Sequence, residues 1–268
     1  MSVKLQDLCI AIELPAEVGR MVLAAGDFPP EATLRALTCP QTAAGAYREL
    51  ADRASAELRG LDMLAWMLRA ALYTHEEYAR RGMAEGVYLD TMKCFSRFVR
   101  EHKAGYGIYG FDRGFWTYRQ LSLSLFRLGE LEYEWRQDVP SVSLHVPSDA
   151  DIALPLCRRS LVEFDRFAAE FFPGRDRRPI EIESWLLSPA LSDLLPPDSK
   201  INRFRNCFRL TRWEKEDTGF LQWIFGREGI PVQDLPETTS LQRRTKARLL
   251  QGQPVGAGTG TLVSFADT

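Results

Sequence analysis

The sequence predicts an α+β protein: an N-terminal helical bundle followed by a mixed α/β domain with a central, mostly antiparallel sheet. Two observations carry this. Apolar residues recur at helical spacing up to about residue 105, and beyond it they alternate at period two. The later elements also come in an uneven order: three strands, a helix, a strand, a short helix and another strand. That is not the regular strand–helix alternation of a doubly wound sheet.

Leu5, Leu8, Cys9 and Ile12 define the first helical stripe. Pro15 opens a second short helix, Ala16 to Ala25, and Gly26 closes it. Pro29, Pro30 and Pro40 bracket a further turn or two. Three longer helices follow, over Thr42 to Leu58, Leu61 to Arg81 and Ala84 to Lys103. In the middle one Leu61, Leu64, Ala65, Leu68, Ala71 and Leu72 form an apolar stripe. Tyr88, Met92, Phe95 and Val99 do the same in the last. Helical spacing stops near Gly105, and GYGIYGFDRG reads as a linker or loop. The expected domains are therefore 1–105 and 106–268.

The second domain opens on a hairpin. Leu121 to Leu125 alternates as a strand with one buried face. Gly129-Glu130 suits a two-residue turn of type II′. Leu131, Tyr133 and Trp135 then share one face, and Glu132 and Glu134 the other. Val142 to Val146 makes a third strand. PSDAD marks a helix start that Ser148, Asp149 or Asp151 could each cap, and the helix runs to about Phe172; a strand follows from Ile180 to Leu187 and another from Arg203 to Trp213. Thr239-Ser240 precedes a basic helix, Leu241 to Leu250, which Gly252 can cap. VGAGTGTLVSF suits a closing strand.

The 34 basic and 36 acidic residues leave a formal net charge of −2. No basic excess argues for nucleic acid or an anionic membrane. No apolar run approaches the ~18 residues of a membrane span. MSVKLQDLCIAIELP reads as an amphipathic helix, not a signal peptide. The five cysteines are scattered and form no CxxC pair. They suit reduced cytoplasmic thiols better than disulfides or a metal site.

Few residues point to chemistry. His145 ends the third strand, and an imidazole there can exchange a proton near neutral pH; a strand-end histidine bonded to a loop is the plainer reading. Glu132 and Glu134 can take a proton from an amine if burial raises their affinity for it, or can pair with Arg127. Ser184 can hydrogen-bond a substrate or lie idle beside a core Trp185. The stretch Val146, Ser148, Asp149 and Ala150 leads into a helix N-terminus, which favours anions, although Asp149 and Asp151 suit capping. There is no GxSxG, Walker or HExxH motif.

The strings RQLSLSLFRLGELEYE, LHVPSDADI, SWLLSPALSDLLP and TTSLQRRTKARLLQG, over roughly Gly110 to Gly260, resemble a bacterial acyltransferase-domain family. Its members join an N-terminal helical domain to a C-terminal GNAT-like domain, the fold of acetyl-CoA-dependent N-acyltransferases. The resemblance implies a putting-together of thioester and amine: an acyl group moves from acyl-CoA, or from an acyl-carrier protein, to a small-molecule amine acceptor. It implies Glu132 or His145 as proton acceptor and Ser184 as a polarising or positioning group. It places Val146, Ser148, Asp149 and Ala150 against the cofactor. GNAT enzymes ordinarily carry a Gly-rich loop there, whereas this chain has HVPSDAD. The rival reading is a non-catalytic GNAT-like binding or regulatory module, with the helical half as a docking surface or a homodimer contact.

Overall fold

The computed structural model describes residues 4–136, 139–174, 178–226 and 229–265. The chain divides into two units, Met1–Leu128 and Gly129–Thr268.

The first unit is helical: α1 (Leu5–Ala11), α2 (Ala16–Ala24), α3 (Glu31–Ala36), α4 (Ala43–Arg53), α5 (Leu61–Arg81), α6 (Glu85–Met92), α7 (Cys94–Tyr106) and α8 (Gly114–Leu121), ending in β1 (Leu125–Leu128). α5 is its axis, and α1, α2, α3, α6 and α8 all pack against it. The reason is its apolar content: Leu64, Ala65, Met67, Leu68 and Ala71 are wholly buried, wider than a one-sided stripe. Trp66 ties the helix outward by donating from Nε1 to the Asp27 carbonyl at 2.8 Å.

Two expectations change in this unit, and one of two alternatives is settled. The helix expected over Ala84 to Lys103 is two helices that meet at Lys93. The glycine-rich run after residue 105 is a docked loop between α7 and α8. Phe111 donates its N–H to the Arg59 carbonyl at 2.9 Å. Gly60 begins α5 at φ 74°, and a Cβ there would collide with the Phe111 carbonyl. Finally, the alternation in Leu121 to Leu125 is not a strand from its start. Gly114, Thr117, Gln120 and Leu121 have helical spacing and are buried on α8. Leu123 turns left-handed at φ 56°, and Ser124 N–H bonds back to the Arg119 carbonyl at 3.0 Å. This is the six-to-one bond of a Schellman ending, with leucine where glycine is usual. β1 therefore starts at Leu125.

The second unit contains β2 (Leu131–Trp135), β3 (Val142–His145), α9 (Leu154–Phe171), β4 (Ile180–Ser184), α10 (Leu191–Leu194), α11 (Lys200–Arg205), β5 (Phe208–Glu214), α12 (Phe220–Phe225), α13 (Ser240–Leu250) and β6 (Ala257–Leu262). Its strands run in the order β2-β3-β4-β6-β5. β2–β3, β4–β6 and β6–β5 are antiparallel, and β3–β4 is parallel. At the entry to this unit Gly129 has φ 62° and Glu130 a negative φ, as a type II′ turn requires. α9 lays Cys157, Ser160, Phe164, Phe167 and Ala168 inward at helical spacing. A second core joins Ala190, Leu191, Leu194, Phe220, Ile224, Phe225, Leu235 and Val255 beneath α10, α12 and α13.

Here too some boundaries move. The strand expected over Ile180 to Leu187 turns into a 3₁₀ helix after Ser184. The one expected over Arg203 to Trp213 begins as α11, because Ser199 caps a helix by accepting the Asn202 N–H at 3.2 Å. The basic helix α13 appears as expected. Thr239 and Gln242 form a reciprocal capping box, and Gly252 follows its end at φ 69°. Its cations bind backbone: Arg244 donates to the Leu194 carbonyl, Lys246 to Leu235 and Arg248 to Pro254. Among the described residues, no helix is long and apolar enough to cross a membrane.

Candidate functional site

The alternation along β2 and β3 sorts their side chains onto two faces. One face is aromatic and is closed by α9. Tyr133 stacks on Phe164 with ring centroids 4.3 Å apart, and Trp135 stacks on Phe172 at 4.2 Å. The Tyr133 hydroxyl meets Ser160 Oγ at 3.1 Å, and burial pushes that phenol's pKa up. This face holds the strands rigid, as expected from Tyr133 and Trp135 sharing a side.

The other face carries Glu132, Glu134, Ser143 and His145. The β2–β3 register sets Glu132 directly opposite His145 and Glu134 opposite Ser143. Glu132 is 2% exposed and Glu134 5%. His145 Nε2 lies 2.9 Å from Glu134 Oε2, along the diagonal of the ladder. The structure thus brings together two of the three residues expected to be catalytic, Glu132 and His145. It adds Glu134 as the imidazole's partner. The shared face of Glu132 and Glu134 was visible in their spacing, but the diagonal bond depends on the strand register.

Ser184 stands apart from these two. It ends β4, opposite Gly258 of β6, and its Oγ accepts the Leu186 N–H at 3.2 Å. Between it and His145 the β3–β4 ladder ends. The parallel pairing of β3 and β4 covers only Val142–Ile180 and Ser143–Glu181. β3 runs on to His145 and β4 to Ser184 without further pairing. A continued ladder would set Val146 beside Ser184, but the pairing ends at Ser143–Glu181.

After β3 the chain makes a tight turn, with Ala150 donating its N–H to the Pro147 carbonyl at 3.1 Å. Val146 enters that turn, and Ser148 and Asp149 are exposed at its tip. The helix expected from Asp151 starts instead at Leu154. Asp151 is held outside it: its carboxylate accepts the Ala153 N–H at 3.0 Å and Lys200 Nζ at 2.9 Å, and its own N–H donates to Glu130 Oε2 at 2.9 Å. Lys200, then the Ala153 N–H, hold its carboxyl pKa below the usual range. Pro155 supplies no N–H to the first turn, and Leu156 N–H returns to the Ala153 carbonyl at 2.9 Å. This helix start therefore presents fewer open donors than an anion-binding N-terminus does. Among the described residues, no group of three or more His, Cys, Asp or Glu is placed to hold a metal ion.

Comparisons with known proteins place this geometry. The family model described as a GNAT-like C-terminal domain matches residues 125–262, and the one described as an N-acyltransferase N-terminal domain matches residues 3–123. Among solved structures, an acyltransferase in complex with decanoyl-CoA and teicoplanin is similar at 25% identity and a TM-score of 0.79, over 96% of this chain and 86% of that one. An acyltransferase in complex with CoA and 10C-teicoplanin shares the fold at 24% identity and a TM-score of 0.79, over 97% and 87% of the two chains. No curated protein matches the sequence.

Proposed function

The chain belongs to the family that joins an N-acyltransferase N-terminal domain to a GNAT-like C-terminal domain, and from that premise we propose that it moves an acyl group from acyl-CoA to an amine on a small-molecule acceptor. The observation that carries the reading is the end of the β3–β4 pairing after Ser143 and Glu181, two residues before His145. In this reading the strands splay there into a notch that suits an extended pantetheine arm. It delivers the thioester to the polar face of β2 and β3.

In this reading the amine nitrogen attacks the thioester carbonyl carbon. A C–N bond forms, the C–S bond breaks with its electron pair going to sulfur, and one N–H proton passes to the protein. The acceptor of that proton is one of the facing pair Glu132 and His145. Ser184, across the notch, positions the thioester through its hydroxyl. Val146 flanks the arm, and the turn of Ser148, Asp149 and Ala150 lies toward the nucleotide end. Aligning the two reactants and removing a proton are enough for this chemistry, without a covalent enzyme intermediate. The similar acyltransferase solved with decanoyl-CoA and teicoplanin supports medium-chain acyl donors and a large amine-bearing natural product as acceptor.

The carboxylates of Asp149 and Asp151 at the donor turn favour a second reading, a module that binds without catalysis. One assay separates the two. The purified protein is incubated with acetyl-, octanoyl- and decanoyl-CoA and a panel of amines, and free CoA thiol is measured against controls lacking amine. Amine-dependent thiol release is expected. Thermal stabilisation by acyl-CoA without turnover of any amine would favour the binding module. Neither effect with any donor would overturn the reading.

A further inference from the structure

We propose that the acceptor lies along the polar face of β4, β6 and β5, and that Arg209 and Thr261 there hold a carboxylate which the acceptor carries far from its reacting amine. This rests on the acyl-transfer reading and names the acceptor class within it.

The strand registers put these side chains on one face. Ser143, Glu181, Thr261 and Arg209 are successive direct partners across β3, β4, β6 and β5. Glu183, Thr259 and Arg212 form the next row, two residues further along β4. Partners in a ladder project to the same side. The face that carries Glu132, Ser143 and His145 on β2 and β3 is therefore the face that carries both arginines on β5. On a regular strand residues three apart point to opposite sides. A bulge between Leu210 and Arg212 inserts Thr211 and so keeps Arg212 on the side of Arg209. Thr211 fixes that bulge by donating from Oγ1 to the Thr259 carbonyl at 3.1 Å. Leu210 goes to the opposite face, where its Cδ1 would stand 2.8 Å from a Cβ at Gly258.

The two rows end differently. In the second, Arg212 lies 3.5 Å from Glu183 and 3.2 Å from Glu214. Because β6 separates β4 from β5, the Arg212–Glu183 pair crosses above Thr259, whose hydroxyl is buried without a partner among the described residues. That row is closed. In the first row Glu181 accepts the Ser141 hydroxyl at 2.7 Å. Thr261 and Arg209 beyond it have no side-chain partner among the described residues, and Arg209 is exposed. A guanidinium fork beside a hydroxyl matches the two oxygens of a carboxylate. Three strand spacings of ~4.8 Å separate β5 from β3, so this carboxylate lies about 14 Å or more from an amine reacting beside β3. An α-amino acid is too short to span that. The acceptor class is an extended or multi-ring amine with a distant carboxylate.

The test uses a glycine–serine pentapeptide with a free N-terminal amine, about 17 Å long when extended, as its C-terminal acid and as its C-terminal amide. A glycine–serine dipeptide in both forms is the short control. Turnover with octanoyl-CoA and the arginine Nε–H signals of ¹⁵N-labelled protein are recorded with each peptide, in wild type and in Arg209→Gln. The signal missing from the variant identifies Arg209. We expect the pentapeptide acid to exceed its amide in kcat/KM by about 3–10-fold at low salt, the scale of an exposed charge-assisted contact. That ratio should fall to about one in Arg209→Gln, and the dipeptides should show no such preference. The pentapeptide acid, and not its amide, should shift the Arg209 signal. An absent or equal shift with the two pentapeptides would overturn the proposal, as would an acid preference that survives in Arg209→Gln or appears equally in the dipeptides. An equal shift with acetate at the same concentration would reduce Arg209 to a site for any counter-ion and overturn it too. If neither pentapeptide is turned over, the spectra decide alone. Absence of turnover with every donor and amine would sink the acyl-transfer reading instead, while the spectra still report whether Arg209 holds the carboxylate.

Discussion

Ser143 and Glu181 are the last residue pair on the parallel ladder between β3 and β4. Beyond them the β3–β4 ladder has no further residue pair, while β4 stays paired with β6 on its other side. An extended chain with its own amide groups can bond along a strand edge, as a peptide does in strand addition. Pantetheine has two amides in an extended chain. Pantetheine without the nucleotide is therefore expected to inhibit competitively against acyl-CoA and non-competitively against the amine. Initial-rate measurements across both substrates check this. Competition against the amine instead would place the notch on the acceptor side.

The tight packing over β6 makes a prediction about stability. Gly258 and Gly260 lie on the sheet face that the 3₁₀ turn at Leu187 covers. A Cβ at Gly258 would stand 2.6 Å from the Leu187 backbone oxygen; at Gly260 the first obstacle, at 2.7 Å, is the Leu187 Cδ2 methyl. A methyl at the end of a side chain can swing away, and a backbone carbonyl cannot. Gly258→Ala is expected to lose at least the ~1–3 kcal/mol typical of overpacking, and more than Gly260→Ala. Urea unfolding of the two variants gives the order, and equal losses would mean the turn moves as a body.

Much of this fold was legible because alternation and caps are local signals. Tyr133 and Trp135 faced one way because a strand has period two. Gly129 turned and Thr239 capped because of their own chemistry. Two of the failures share a cause: a short segment can satisfy two periods. LSLSL alternates, but the residues before it close a helix, and Leu123 takes the left-handed end without a glycine to announce it. Phe204 and Phe208 are spaced by four and also fit an alternating run, so α11 hid inside an expected strand. At the candidate site, Glu132 and His145 were singled out by position in the chain. The Glu134–His145 bond was not, because a diagonal contact needs the register of two strands. The start of α9 slipped by three residues, because Asp151 accepts the Ala153 N–H from outside the helix, in the manner of an Asx turn.

The cysteines respond to pH in a direction that can be worked out. All five are free; Cys9, Cys94, Cys157 and Cys207 are buried, and Cys39 is partly open. Burial pushes the Cys9 thiol up from 9.0 to about 11 and Cys157 up to about 12. The folded state thus keeps these protons after the unfolded chain has begun to lose them. Their contribution is present in full below pH 9.0, the ordinary thiol value, and is lost as pH rises through about 11 to 12. Unfolding free energy should hold level to about pH 9 and fall above it. Urea titrations by tryptophan fluorescence measure that. In native protein at pH 8, brief alkylation followed by mass spectrometry should mark Cys39 first. Prompt labelling of Cys157, or undiminished stability at pH 11, would contradict the burial argument.

The turn after β3 carries negative charge at Asp149 and Asp151. Asp151 stands three residues before α9, engages Lys200 at 2.9 and 3.1 Å, and accepts the Ala153 N–H. Replacing it by asparagine keeps an oxygen for Ala153, removes the charge and releases Lys200. Both changes favour an anion near the helix start, by an amount that exposure and salt keep small. If the nucleotide end of acyl-CoA lies there, Asp151→Asn lowers KM for acyl-CoA by about 2–5-fold at low salt. The gain should shrink as salt is raised. An acyl-pantetheine donor, which lacks phosphates, supplies the control, because its KM should not change. An unchanged KM for both donors would move the nucleotide away from this turn, and an equal fall for both would show that Asp151 acts through the shape of the notch instead of through its charge.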